Sequence, residues 1–142
     1  MDLVTRFSDS TVNCLRAGLP AACDGVRPTT EAGLQALCDG LLKAAGKRLQ
    51  REFPYARWGL VGTKPDWSED EINLWIELKF ARKRPAPPGR ISDEIATDIT
   101  KYGHNSKRVL FIIFDPDRSI QDDSRFIEPI LSHRGMRAEV VR

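Results

Sequence analysis

Residues 65–80 read Pro65-Asp66-Trp67-Ser68-Glu69-Asp70-Glu71-Ile72-Asn73-Leu74-Trp75-Ile76-Glu77-Leu78-Lys79-Phe80. From Ile72 the pattern has period two. Ile72, Leu74, Ile76, Leu78 and Phe80 fall on one side, and Asn73, Trp75, Glu77 and Lys79 on the other. Such alternation predicts a strand with one apolar face and a second face that carries Trp75, Glu77 and Lys79. Pro65-Asp66-Trp67 reads as a short extended piece, and Ser68–Asp70 as turn chemistry. A hairpin there returns Asp66 beside Glu77. Two carboxylates on one face repel each other unless a cation neutralises them, and hard oxygen donors suit magnesium or manganese. Lys79 leaves the same face as Glu77, within reach of a phosphate's developing charge. Two alternatives stand beside this reading. Asp70 rivals Asp66 as the first carboxylate, and Glu77 with Lys79 could form an ordinary salt bridge on an exposed sheet face.

Working outward, Pro85–Gly89 excludes helix and central strand and reads as a loop. A helix is predicted from Ser92, with Ile91, Ile95, Ile99 and Tyr102 as its buried stripe and Gly103 as its stop. Val109–Phe114 is a continuous apolar run, expected of a strand buried on both faces. Phe126–His133 reads as a weaker helix around Pro129, and Met136–Val141 as a last strand. Upstream, Leu3, Val4, Phe7, Cys14 and Leu15 predict a helix that ends at Gly18-Leu19-Pro20. A second starts at Thr29 or Thr30 and carries an apolar stripe from Leu34 to Leu49. Tyr55–Val61 is a candidate strand. The order of helix, helix, three strands, helix, strand, helix, strand predicts an α/β (α+β) domain whose mixed central sheet is flanked by helices.

The chain has 142 residues, 41% of them hydrophobic and 30% charged, which suits a single domain with one core. Net charge is only +2, so the distribution carries more information. Residues 65–77 hold Asp66, Glu69, Asp70, Glu71 and Glu77 without a base. Residues 78–92 hold Lys79, Arg82, Lys83, Arg84 and Arg90 without an acid. That juxtaposition fits a cation-dependent enzyme acting on a polyanion; two solvated loops are the plainer reading. Arg82-Lys83-Arg84 is the candidate phosphate-binding segment, with Lys101 as a further candidate. Cys14, Cys23 and Cys38 have no CxxC spacing and are expected to be reduced thiols in a cytoplasmic protein. No apolar run approaches the roughly 18 residues that span a bilayer, so no membrane role is expected.

Asp66, ten intervening residues, then Glu77-Leu78-Lys79 resembles the PD-(D/E)xK signature of restriction-endonuclease-like nucleases. Ile91–Ile95 with Asp98-Ile99 and Lys101-Tyr102, followed by Val109–Asp115 and Pro116, is similar to the matching helix and strand of DpnII/MboI-type nuclease domains. The resemblance covers residues 29–141 and leaves 1–28 as an N-terminal helical extension of one 1–142 domain. It implies a Mg²⁺- or Mn²⁺-dependent endonuclease on DNA, in prokaryotic defence or DNA processing. Asp66 and Glu77 would be metal ligands, the Leu78 carbonyl a third oxygen, and Lys79 the catalytic lysine. Members also place a Glu on the first core helix, and Glu31 matches; the alternative for Glu31 is a first-turn acid favoured by the helix dipole. A partner chain that supplies target recognition, a non-specific nuclease role or a lost activity would each account for the short length, and cleavage of both strands by a one-site domain implies a homodimer. A catalytically silent module that binds nucleic acid or protein is the alternative function.

Overall fold

A computed structural model describes residues 2–24, 27–51, 65–82, 88–102 and 108–142. The expected strand at 55–61, Trp58, Lys83, Arg84, Gly103 and His104 lie outside the described residues. Four helices and five strands follow in the order α1 (Leu3–Ala22), α2 (Glu31–Ala44), β1 (Gln50–Arg51), β2 (Trp67–Glu69), β3 (Leu74–Phe80), α3 (Pro88–Tyr102), β4 (Arg108–Phe114), α4 (Asp123–Leu131) and β5 (Met136–Val141). The sheet order is β1-β2-β3-β4-β5, antiparallel from β1 to β3 and parallel from β3 to β5. This is the mixed α/β sheet that the element order predicted.

Each face of the sheet is covered by a helix pair. α1 and α2 lie over Leu74, Ile76, Leu78 and Phe80 of β3 and Leu110, Ile112 and Phe114 of β4. On the other side α3 and α4 cover Val109, Phe111 and Ile113, with Trp75 and Ala81. α1 contributes Val12, Leu15 and Leu19 to the same cluster as α2. All three cysteines are free thiols. Among the described residues no helix is long and apolar enough to cross a membrane.

Several boundaries differ from expectation for local reasons. Thr30, not Thr29, caps α2 by accepting the Gly33 N–H at 3.0 Å. That helix stops at Ala44 rather than Leu49 because Gly46 takes a left-handed φ of 78° and the Lys47 N–H turns back to Leu42. Gly18 does not end α1. It lets α2 approach, for a Cβ there would meet Leu41 Cδ2 at 2.9 Å, and α1 continues through Pro20 to Ala22. α3 begins at Pro88 rather than Ser92, as a first helical turn allows proline.

The reversal between β2 and β3 is also displaced. Ser68 and Glu69 remain in β2, opposite Trp75 and Leu74. A single 3₁₀ turn at Asp70–Ile72 and a left-handed Asn73 (φ 52°) then turn the chain. Glu69 starts that turn by accepting the Glu71 N–H at 3.1 Å. Ile72 therefore belongs to the turn and not to the strand.

Candidate active site

Register brings the two expected carboxylates together. Trp67 pairs with Ile76, so the residue before β2, Asp66, falls opposite Glu77. Asp66 Oδ2 accepts the Leu78 N–H at 2.8 Å, and its Oδ1 accepts from Gln35 Nε2 of α2 at 2.7 Å. The Leu78 N–H points toward β2, and ladder alternation sends its carbonyl to that edge as well. Asp70 stands at the other end of the hairpin, exposed, so Asp66 is the aspartate beside Glu77.

β3 is buried on both faces because it runs through the middle of the sheet. Glu77 is only 6% exposed and Lys79 8%, which removes the surface salt-bridge alternative. Glu77 Oε1 accepts the Tyr102 hydroxyl at 2.6 Å, and Lys79 Nζ forms an ion pair with Asp98 Oδ2 at 2.7 Å. Tyr102 is itself held edge-on against Trp75, with ring centroids 5.1 Å apart. Both partners come from α3, one helical turn apart.

The electrostatics follow from this crowding. Burial, then the Asp66 charge, pushes the Glu77 carboxyl up to about 8. Burial also raises Asp66, while the Leu78 amide and Lys79 pull it down. Glu31 is raised by burial and opposed by Lys79, so this α2 carboxyl lies within the field of the same site. Lys79 is raised despite its burial, because Asp98, Glu77 and Glu31 surround it. Asp66 and Glu77 thus face each other across the β2–β3 register, and the charge on Asp66 raises the carboxyl of Glu77.

The donor set fits a hard divalent cation: two converging carboxylates whose mutual repulsion a cation would relieve, and oxygens with lone pairs left over after their hydrogen bonds. Among the described residues no group of three His, Cys, Asp or Glu side chains is arranged to hold a metal. Glu31 therefore joins the site through its charge and does not close a three-carboxylate cage with Asp66 and Glu77.

The basic candidates are less concentrated. The Arg82 guanidinium donates to the Thr29 carbonyl and lies over the Phe80 ring, 4.5 Å from its centroid. It thus ties the end of β3 to the start of α2. Lys101 is exposed, whereas its neighbour Tyr102 is buried. Asp98, Tyr102 and Gln35 were not chosen from sequence as site residues. The four-residue Asp98/Tyr102 spacing on one helix face was the available signal.

A family model described as REase_DpnII-MboI matches residues 16–141. No curated protein and no solved structure matches the chain. Matched from the second half of α1 to the last residue of β5, and so across both carboxylates and the lysine between them and α3, the chain belongs to the DpnII-MboI restriction endonuclease family.

Proposed function

We propose that this protein is a divalent-cation-dependent endonuclease that hydrolyses phosphodiester bonds of DNA. The observation that carries the reading is the convergence of half-buried Asp66 and buried Glu77 beside buried Lys79, in a chain of a restriction endonuclease family. Asp66 and Glu77 would hold Mg²⁺ or Mn²⁺, with the Leu78 carbonyl as a third oxygen and Glu31 adding negative charge behind them. Such a cation, when bound, neutralises phosphate charge and makes water more acidic. Lys79 supplies the positive charge at the developing phosphate charge, from a buried position where a fixed cation acts strongly. Glu77, whose carboxyl burial and the Asp66 charge push up to about 8, would have to be ionised to act as a ligand. Arg82, Lys83, Arg84 and Lys101 would hold the flanking phosphates.

A defence role in the prokaryotic cytoplasm, and a homodimer or a partner chain for target recognition, belong to the same proposal. Cutting both strands needs two such sites, and two-fold pairing supplies them. The test is incubation of plasmid, linear and single-stranded DNA with the protein in Mg²⁺, Mn²⁺ or EDTA. Metal-dependent cleavage lost in Glu77→Gln supports the reading. DNA binding without cleavage in either metal would favour the silent module instead.

A further inference from the structure

We propose that α3 acts as a positioning clasp for the catalytic strand, with Asp98 setting Lys79 and Tyr102 setting Glu77. The inference rests on the nuclease reading above and adds two residues that touch neither cation nor DNA in it.

The two contacts form a matched set. Glu77 and Lys79 lie two residues apart on β3, a rise of about 6.6 Å. Asp98 and Tyr102 lie four apart on α3, a rise of about 6 Å. Tyr102 meets Glu77 at 2.6 Å and Asp98 meets Lys79 at 2.7 Å, so the helix runs against the strand direction with its contacts in step. Neither element has to bend to make both.

The chemistry of each contact suits positioning rather than bulk stability. A phenol hydroxyl donates to one oxygen of Glu77 and leaves the other free to bind, which fixes the carboxylate's rotation. Asp98 gives Lys79 a counterion in a position where Glu77 and Glu31 also attract it, and so selects one place for the ammonium among several carboxylates. Around Lys79 the facing charged groups are Asp98 from α3, Glu77 from its own strand, Glu31 from α2 and Asp66 from the segment before β2. Asp98 is the one in direct contact. The Tyr102 ring is anchored separately by Trp75 and by a 2%-exposed seat, so its hydroxyl can be removed without removing the packing.

The test compares Tyr102→Phe, Asp98→Asn and Asp98→Glu with wild type by Mn²⁺ titration calorimetry, cleavage kinetics and thermal melting of the metal-free protein. Tyr102→Phe is expected to melt close to wild type yet bind Mn²⁺ about 10-fold or more weakly, the usual loss when a ligand's outer partner is removed. Asp98→Asn is expected to lower kcat about 10-fold or more with KM little changed, and Asp98→Glu to restore part of it. If Asp98→Asn does not fold, the Mn²⁺ affinity of Tyr102→Phe decides. Folded variants that match wild type in Mn²⁺ affinity and kcat overturn the clasp alone. A wild type that neither binds Mn²⁺ nor cuts DNA overturns the nuclease reading, and the clasp's role with it.

Discussion

Leu74, Ile76, Leu78 and Phe80 point from β3 into the layer of α1 and α2, while Trp75, Glu77 and Lys79, their neighbours in the chain, point into the layer of α3. Both sides are excluded from water. On the first side nothing polar on β3 needs a partner, and each buried methylene contributes about 0.8 kcal/mol. On the second, a carboxyl, an ammonium and a phenol share the same degree of burial, and each is tolerable only because another is placed to meet it. One strand thus separates stability from chemistry by the parity of its residue numbers. The same parity in β4 gives apolar residues on both sides, so the polar insertion belongs to β3 and α3 and is not a property of the layer.

Substitutions on the two faces probe that division. Ile76→Ala opens a hole at a fully buried position on the apolar side and is expected to lower stability by about 2–5 kcal/mol, read as a drop in denaturant midpoint. The protein that remains folded is expected to keep its Mn²⁺ affinity; loss of binding in step with stability would merge the two faces. Lys79→Met is expected to cut turnover by about 100- to 1,000-fold. It also leaves the half-buried Asp98 without its counterion, which costs up to about 3 kcal/mol, the low end for a buried pair. Adding Asp98→Asn is expected to recover most of that stability and none of the turnover, a separation that melting curves and kinetics on the double variant would read directly.

A smaller effect concerns pH. Glu77 is raised from its ordinary 4.5 to about 8 by burial and by Asp66, so the folded state favours its neutral form. Stability of the metal-free protein from this group is therefore complete below about pH 4.5, falls as pH rises to about 8, and changes no further above that. Glu77→Gln is expected to flatten that decline in melting temperature. Mn²⁺ added at pH 8.5 is expected to raise the melting temperature of wild type and not of Glu77→Gln. The smallest effect lies outside both faces. Arg118, exposed in the turn after β4, holds a left-handed φ of 51°, which an arginine adopts at a cost. Arg118→Gly is expected to gain up to about 1 kcal/mol in chemical denaturation, with Mn²⁺ affinity untouched.

Much of this was legible beforehand because it is local. The alternation of Leu74 to Phe80, the unbroken run at Val109–Phe114 and the stripe of Ile91, Ile95 and Tyr102 each declare an element by periodicity alone. Boundaries failed where a residue's usual role was overridden. Gly18 looks like a helix stop until Leu41 is packed against it, and Ser68 looks like a turn residue until Trp75 is paired with it. The clasp was hidden for a related reason. Lys101 and Tyr102 are adjacent in sequence, and only the packing of α3 on β3 decides that the tyrosine faces the site and the lysine faces water.

The sequence by itself determined which side chains are available for chemistry: the order Asp66, Glu77, Lys79, and a strand period that puts the last two on one face. Tertiary structure decided what those groups are. The register of β2 on β3 sets Asp66 against Glu77, and the central place of β3 buries Glu77, so that burial raises both carboxyls and the facing Asp66 charge raises Glu77 further. α3 then supplies Tyr102 from 25 residues beyond Glu77 and Asp98 from 19 residues beyond Lys79. Burial and long-range pairing depend on contacts between distant segments, and no local period encodes them.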